Sequence, residues 1–218
     1  MNKSLLVIAT TLIGALSLQA QFSESLRPDL GFKFGIPVSD TFSTGRGFSS
    51  HTPRYTIGVS GEFHLPKNLH FEIDGLYRRG GFDSGLPWAA GGLAYRPTSF
   101  NWWEVPGLIK YNFNFGHLRP FVDVGASLRH ISTVSQTTYA FGLLNNVAMT
   151  DNSIAIHNRN SFGGVAGIGV TFKLGAVNLS PEARYTRWAN EAFQWNNSLT
   201  SGLHTNLDQG DFLLGITF

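Results

Sequence analysis

Apolar and polar residues alternate along most of the chain from residue 31 onward. This period of two places successive side chains on opposite faces of a β-strand. Eight such segments reach the roughly 9 to 11 residues that a tilted strand needs to cross a membrane. The predicted strands are Gly31 to Asp40, Arg54 to Leu65, Leu69 to Arg79, Ser99 to Phe113, Leu118 to His130, Ser161 to Leu174, Val177 to Trp188, and Gln209 to Phe218.

The connections between these segments alternate between short and long. The short ones are Pro66 to Asn68, Asn114 to His117, and Gly175-Ala176. The long ones, rich in Gly, Ser, Thr and Asn, are Thr41 to Pro53, Gly80 to Thr98, Ile131 to Asn160, and Ala189 to Asp208. Short turns on one side and long loops on the other are typical of outer-membrane barrels, whose turns are periplasmic. The apolar stretch Tyr139 to Met149 fits either an extension of the barrel above the membrane or a short helix.

The two faces of each segment differ sharply in polarity, and this decides what surrounds the barrel. A membrane barrel turns its apolar residues to lipid, whereas a soluble barrel buries them. Turning the apolar faces outward sends six acidic and seven basic residues into the lumen. These are Lys33, Glu62, Glu72, Asp74, Arg78, Glu104, Lys110, Arg119, Asp123, Arg129, Lys173, Glu182 and Arg184. Since an unpaired buried charge is costly, we expect a lumen network of ion pairs.

Aromatic residues on the outward faces lie near segment ends, as in the aromatic girdles at both membrane interfaces. They are Tyr55, Tyr77, Trp103, Tyr111, Phe113, Phe172 and Phe218. The sequence therefore predicts an all-β fold, an eight-stranded antiparallel up-and-down transmembrane β-barrel. The alternative is a soluble, lipocalin-like barrel with the two faces exchanged.

The first twenty residues have the layout of a secretory signal peptide. Lys3 precedes the uncharged, mostly apolar run Leu5 to Leu18, and Ala20 is the expected cleavage position. A spanning helix needs about 20 apolar residues, more than this run contains. The predicted organisation is a signal peptide over 1–20 and a barrel domain over 21–218, exported to the outer membrane of a Gram-negative bacterium.

Composition narrows the functional classes. Charged residues make up 14% of the chain, which has 25 Gly and no Cys. Without cysteine there is no disulfide, thiolate metal site or lipid-modified cysteine. The formal charge is +2, with no clustered Lys/Arg run. A nucleic-acid partner is therefore not expected.

Candidate chemistry is sparse, and we predict no catalytic residue, cofactor or metal ligand. The seven histidines are scattered and lack the spacing of metal-binding motifs. Glu72 and Asp74 share a face in a way that an acid and base pair needs, but Arg78 shares it too, which favours a lumen salt bridge. Lipid A deacylase barrels carry His-x-Ser-Asn on a late strand, where this chain reads Arg187 to Asn190 (RWAN).

Glycines and prolines mark special positions within the strands. Four glycines on the sixth segment leave room for bulky lumen neighbours or allow sharp curvature: Gly163, Gly164, Gly167 and Gly169. Four prolines inside strands each remove a ladder donor, so we expect bulges or irregular pairing there: Pro37, Pro106, Pro120 and Pro181.

Several strand motifs resemble the PorT-like outer-membrane β-barrel family. A Glu-x-Pro strand ending in Lys-Tyr recurs in that family and is present at Trp103 to Phe113 (WEVPGLIKYNF). The next strand, LRPFVDVGASL, the later PEARYT and the closing alternation ending in Phe218 are also similar to it. The resemblance covers most of the mature chain and implies a fold and an outer-membrane location. Most members have no defined activity.

Three functional hypotheses follow. The leading one is a non-enzymatic barrel whose extracellular loops serve surface interaction or envelope integrity. The second is passage of a small solute or hydrophobic ligand, suggested by Tyr139 to Met149, and the third is a lipid A-modifying enzyme. The expected surroundings are outer-membrane lipid and lipopolysaccharide, with an extracellular or envelope protein as a further partner. The protein is expected to be a monomer.

Overall fold

The computed structural model describes residues 28–39, 42–44, 48–50, 55–87, 93–116, 118–141, 146–151, 158–192, 194–197 and 200–218. The described residues form thirteen strands. These are β1 (Asp29–Pro37), β2 (Phe42–Thr44), β3 (Phe48–Ser50), β4 (Thr56–His64), β5 (Leu69–Pro87), β6 (Leu93–Asn112), β7 (Leu118–Phe141), β8 (Asn146–Asp151), β9 (Asn160–Leu174), β10 (Val177–Trp188), β11 (Gln194–Asn197), β12 (Thr200–Thr205) and β13 (Asp208–Thr217). No helix within the described ranges is long and apolar enough to cross a membrane. The predicted signal peptide lies outside them.

Eight of these strands close into an antiparallel barrel. Their order around the barrel is β5, β4, β1, β13, β10, β9, β7 and β6, and pairing of β6 with β5 closes the ring. The first and last barrel strands are neighbours, with Gly31 opposite Thr217 and Pro37 opposite Asp211. Within the described residues, closure leaves each of the eight barrel strands paired on both sides, which is the condition for a sheet to cross a membrane. The predicted fold class is confirmed.

The three strands β5, β6 and β7 are longer than predicted. They contain 19, 20 and 24 residues. Much of the predicted loops over 80–98 and 131–160 is therefore strand, and this part of the prediction was wrong. β5 and β6 stay paired up to Pro87 opposite Leu93, and β6 and β7 up to Leu93 opposite Phe141.

Short strands continue this sheet on the extracellular side. β8 pairs with β7 from Gln136 to Phe141, and β3 pairs with β5. The described parts of the stretch Tyr139 to Met149 are strand, so of the two alternatives left open for it the extension of the barrel is the one observed. A separate small sheet contains β11, β12 and β2.

The periplasmic side has the predicted tight turns. Backbone φ is positive at Lys67 and Asn68 between β4 and β5, at Gly116 between β6 and β7, and at Gly175 between β9 and β10. The left-handed conformation suits glycine and asparagine and lets the chain reverse within a few residues.

Glycines on the inward face of β9 make room for large neighbours. A Cβ atom on Gly167 would lie 2.5 Å from the Asp123 carboxylate, and one on Gly163 would lie 2.9 Å from the Trp188 ring. A Cβ on Gly169 would collide with Phe121. The bulky-neighbour explanation for the glycines is therefore the one that the structure supports. Gly164 faces outward, with no atom within 4 Å of its Cβ position.

Two strand prolines interrupt pairing without shifting register. Beside Pro106 the β5–β6 ladder passes from Ile73 opposite Gly107 to Leu76 opposite Glu104. The β9–β10 ladder skips Pro181 in the same way. Irregular pairing thus occurs at two of the four prolines, because each lacks the N–H that the ladder requires.

The outward face of the barrel is apolar, as a lipid-facing surface must be. Exposed side chains on it include Val59 (57%), Val124 (62%) and Phe212 (55%). Outward aromatics pair along the girdles, with the rings of Tyr77 and Trp103 5.1 Å apart. Charged side chains of the same strands are buried inside, which is the reverse of a soluble barrel.

Candidate functional site: the ion-pair network inside the barrel

Five charged side chains from three barrel strands meet in the lumen. Strand alternation directs Lys33 of β1, Glu72 and Asp74 of β5, and Glu182 and Arg184 of β10 to the barrel axis. All five are at most 4% exposed. Buried charges of this kind persist only when each finds a counter-charge and hydrogen bonds.

Lys33 is the centre of this group. Its Nζ donates to Glu72, to Asp74 Oδ2 at 3.1 Å and to Glu182 Oε2 at 3.1 Å. One ammonium group thus uses its three donors on three carboxylates. Lys33 therefore ties β1 to both β5 and β10 across the lumen.

Arg184 completes the centre from the other side. It donates to Asp74 Oδ2 at 2.8 Å and to Glu182 Oε1 at 2.5 Å, and a third contact reaches Glu72 Oε1 at 3.3 Å. Glu72 also accepts from Lys110 of β6. Glu72 is thus shared by three cations, and Asp74 by two.

A second group lies toward the extracellular side. Arg78 forms a two-point pair with Asp211, at 2.6 and 2.8 Å. Its Nε is 3.1 Å from Glu104 Oε2. Gln209 donates to Asp211 at 3.0 Å, and Trp102 Nε1 donates to Glu104 at 2.8 Å. Arg78 therefore pairs with β6 and β13 and not with the acids on its own strand.

A third group lies toward the periplasm. Lys110 Nζ is 2.9 Å from Glu62 Oε2, and Glu62 Oε1 is 2.7 Å from His70 Nδ1. Glu62 is partly accessible to solvent, unlike Glu72. This group connects the central cluster to the periplasmic mouth.

Four residues of the predicted set lie outside these contacts. Both carboxylate oxygens of Asp123 are buried without a hydrogen-bond partner among the described residues. Arg129 stacks on Trp188, with its guanidinium carbon 4.2 Å from the ring centroid. Arg119 and Lys173 are exposed near the periplasmic ends of β7 and β9.

Asp211 is the functional residue that sequence reasoning missed. It shares the inward face of β13 with Leu213 and Gly215, and that alternation was visible in the sequence. It is the only charged residue on that face. The interior layer therefore holds seven carboxylates and five cations: Glu62, Glu72, Asp74, Glu104, Asp123, Glu182 and Asp211 with Lys33, Arg78, Lys110, Arg129 and Arg184.

An apolar cluster fills the interior above the network. Its members are buried and come from β5, β6, β7 and the segment after β10: Phe82, Phe100, Trp102, Ile131, Val134 and Ala192. The rings of Phe100 and Trp102 are 5.1 Å apart and nearly parallel. Asn158 binds the backbone of Glu191 and Ala192, which ties two extracellular segments together beside the cluster.

The extracellular sheet carries an exposed tyrosine pair. Tyr95 of β6 and Tyr139 of β7 are cross-strand neighbours with ring centroids 6.2 Å apart. The Tyr95 hydroxyl donates to Asp83 at 2.8 Å. This hydrogen bond to a carboxylate raises the pKa of the Tyr95 phenol.

The closed antiparallel barrel, its apolar outer face and its charged interior define a bacterial outer-membrane β-barrel protein. A family model described as outer membrane protein beta-barrel domain matches residues 19–187. The chain belongs to this family, and its location is the outer membrane. No functionally curated protein matches the chain.

Solved structures similar to this chain include outer-membrane proteins of several bacteria. OprG from Pseudomonas aeruginosa matches with a TM-score of 0.55 and 11% identity, over 87% of this chain and 92% of OprG. Neisserial surface protein A matches with a TM-score of 0.47 and 13% identity, over 87% and 94%. Ail of Yersinia pestis gives 0.37 and 10%, over 87% and 97%. At such identities the OprG match shows the fold alone.

Proposed function

We propose that the protein is a non-conducting, non-enzymatic anchor that presents an extracellular sheet for surface interaction or envelope integrity. The observation that carries this proposal is the filling of the interior by two stacked layers, one of ion pairs and one of aromatic and aliphatic side chains. A rigid, filled barrel suits a support for the strands that rise above it. From the motif resemblance we further propose that the chain is PorT-like.

The contacts of the acidic residues favour a structural over a catalytic role. Glu72 is bound by three cations and Asp74 by two. A general acid or base needs a proton that can leave, and an approach for substrate. Neither is favoured for carboxylates that are at most 2% exposed and held by several donors.

Planar-bilayer recording tests the filled interior. Wild-type protein should show no steady conductance, with a general porin as the positive control for insertion. The double variant Phe100→Ala/Trp102→Ala removes two rings and so enlarges the space at the extracellular end of the interior. The double variant Arg78→Ala/Glu104→Ala removes one ion pair from the polar layer below them. A steady large conductance from the wild-type barrel would contradict the proposal.

The role of the extracellular sheet is tested in cells that lack the gene. Complementation uses the full chain or a variant in which residues 82–98 are replaced by a short turn. We expect both to insert, and only the full chain to restore surface contact or resistance to detergents and large antibiotics. Equal restoration by the shortened variant would assign the function to the barrel itself.

Mass spectrometry of lipid A from the same strains tests the enzymatic alternative. We expect identical acyl patterns with and without the gene. A pattern that changes with the gene would overturn the non-enzymatic proposal. The proposed surroundings are lipopolysaccharide and outer-membrane lipid around a monomer, which light scattering of the detergent-solubilised protein tests directly.

A further inference from the structure

Two imidazole rings meet at the periplasmic mouth of the barrel. His64 of β4 and His70 of β5 are register partners on either side of the tight turn, and their ring centroids are 4.5 Å apart. The next pair toward the turn is hydrogen-bonded, since Leu65 N–H donates to Leu69 C=O at 2.8 Å. His64 and His70 therefore form a non-hydrogen-bonded pair, the kind in which facing side chains approach most closely.

Each ring has a carboxylate beside it. Glu62 Oε1 is 2.7 Å from His70 Nδ1, and Asp29 Oδ2 is 3.7 Å from His64 Nε2. When Nδ1–H of His70 faces Glu62, Nε2 keeps its lone pair and is free to bind. A carboxylate behind the ring is also the usual arrangement for a metal-binding histidine, because it fixes the tautomer and raises ligand basicity.

The pair is accessible from the periplasm. The His64 side chain is 55% exposed, whereas that of His70 is 12% exposed and lies against Glu62. One fixed ligand and one adaptable ligand on a rigid hairpin reduce the ordering that metal binding requires. Nearby Lys110 is occupied by Glu62 and Glu72.

We propose that His64 and His70 form a two-imidazole chelate for a divalent transition metal. Imidazole nitrogen selects Cu²⁺ and Zn²⁺ over the oxygen-seeking Mg²⁺ and Ca²⁺, and Cu²⁺ binds most tightly. Within the described ranges, no group of three or more His, Asp or Glu is assembled around a metal position. The protein thus supplies two ligands and water completes the coordination. Bound metal links β4 to β5 at the periplasmic mouth, beside Asp29 of β1.

Titration of the full mature protein, purified in detergent without a polyhistidine tag, tests the proposal. Isothermal calorimetry should show one Cu²⁺ per chain, weaker binding of Zn²⁺ and none of Mg²⁺. Replacing either histidine leaves one imidazole ligand for the metal where there were two. We therefore expect His64→Asn and His70→Asn each to weaken Cu²⁺ binding by about tenfold or more, by analogy with the loss of supporting groups in metal sites.

His130→Asn is the matched control, because His130 is exposed at the other end of the barrel. It should leave the affinity unchanged. Electron paramagnetic resonance of the Cu²⁺ complex should show two coordinated imidazole nitrogens, and one in each single variant. Far-UV circular dichroism and gel mobility before and after heating verify that each variant is folded.

Unchanged Cu²⁺ binding in the double variant His64→Asn/His70→Asn would overturn the proposal, as would a one-nitrogen spectrum from the wild type. The variant Asp29→Asn tests whether Asp29 orients the His64 ring and does not itself bind the metal. It should weaken binding while keeping both nitrogens in the spectrum. None of these results depends on whether the barrel conducts, so the test is independent of the proposed function.

Discussion

The membrane-embedded and extracellular parts of β6 differ in the polarity of the side chains that face the interior. On the periplasmic side of Trp102, the inward face of β6 carries the charged residues Glu104 and Lys110 as well as the buried Leu108, and the outward residue Trp103 faces lipid. On the extracellular side, the inward residues Phe100 and Trp102 are apolar and buried. The interior changes from ion pairs to a hydrophobic core along a single strand.

The neighbouring strands change at the same level. On β7 the inward face passes from Arg129 to Ile131, and on β5 from Arg78 to Phe82. Ile131 and Arg78 are the two register partners of Trp102. A register shift between Asn101 and Trp102 lies at this level as well.

The reversal follows from what surrounds each part. Where the outer face meets lipid, apolar residues face outward and polar ones must find partners inside. Where it meets water, burial of apolar side chains inside is again the favourable choice. The change at residues 100–104 therefore locates the outer surface of the membrane on these strands, and the Trp102–Glu104 hydrogen bond joins the two layers.

The largest predicted effect concerns the centre of the polar layer. Glu72→Gln leaves Lys33, Lys110 and Arg184 short of a shared counter-charge. Breaking such a buried group costs about 3–5 kcal/mol. Urea unfolding in lipid vesicles should show this loss, and Glu62→Gln at the partly accessible rim should cost less. Equal stability of the two variants would contradict the central role of Glu72.

A substitution in the apolar layer should destabilise a different part of the molecule from one in the polar layer. Phe100→Ala removes a buried ring and should cost about 3 kcal/mol, at the low end for such truncations. Because the cluster lies above the membrane, the loss should appear as faster proteolysis of the extracellular sheet, with little change in the gel mobility of the unheated barrel. Tyr95→Ala on the exposed face of the same strand is the control and should leave proteolysis unchanged.

The position of the membrane surface can be tested on the outward face of β6. Ile109→Arg places a charge in lipid and should cost about 2–4 kcal/mol, whereas Ser99→Arg faces water and should cost about 1 kcal/mol or less. Both positions have the same strand and orientation, so only depth differs. Similar costs at the two positions, measured by urea titration in vesicles, would place the membrane surface elsewhere.

The smallest effect is expected at Asp123. Its carboxylate has no hydrogen-bond partner among the described residues, so Asp123→Asn removes a buried charge that no hydrogen bond there stabilises. The free energy of unfolding should change by less than about 1 kcal/mol, or rise. A loss as large as that of Glu72→Gln would reveal a partner outside the described contacts.

The membrane-embedded part of the fold could be predicted from the sequence because the alternation of apolar and polar residues that marks each strand is visible within a few neighbouring residues. Alternation alone predicted the existence of all eight barrel strands and, for β10, both bounds. The extracellular half of β5, β6 and β7 was predicted as loop. There the polarity reverses, and Gly80, Thr98 and Thr133 suggest turns, although tertiary pairing keeps the chain extended.

The candidate site, too, could be predicted from the sequence only in part. Alternation identified most of the charged residues that share the interior, although it missed Asp211, and it did not show which of them pair. Arg78 binds Asp211 of β13 and not Asp74, which is four residues away on its own face. Such choices depend on distances across the lumen, which barrel curvature sets. The pairing of His64 with His70 could be inferred from the sequence, since the two residues flank a predicted turn symmetrically.

The pairing of Arg78 with Asp211 has a consequence for assembly. Asp211 lies on the last strand, which joins β10 and β1 and completes the cylinder. Until that strand docks, the guanidinium group of Arg78 lacks its two-point partner. Biogenesis of a barrel with its C-terminal ten residues removed should therefore stall as an open sheet in which Arg78 keeps Glu104 and lacks its two-point partner, which gives envelope proteases a means to recognise incomplete chains.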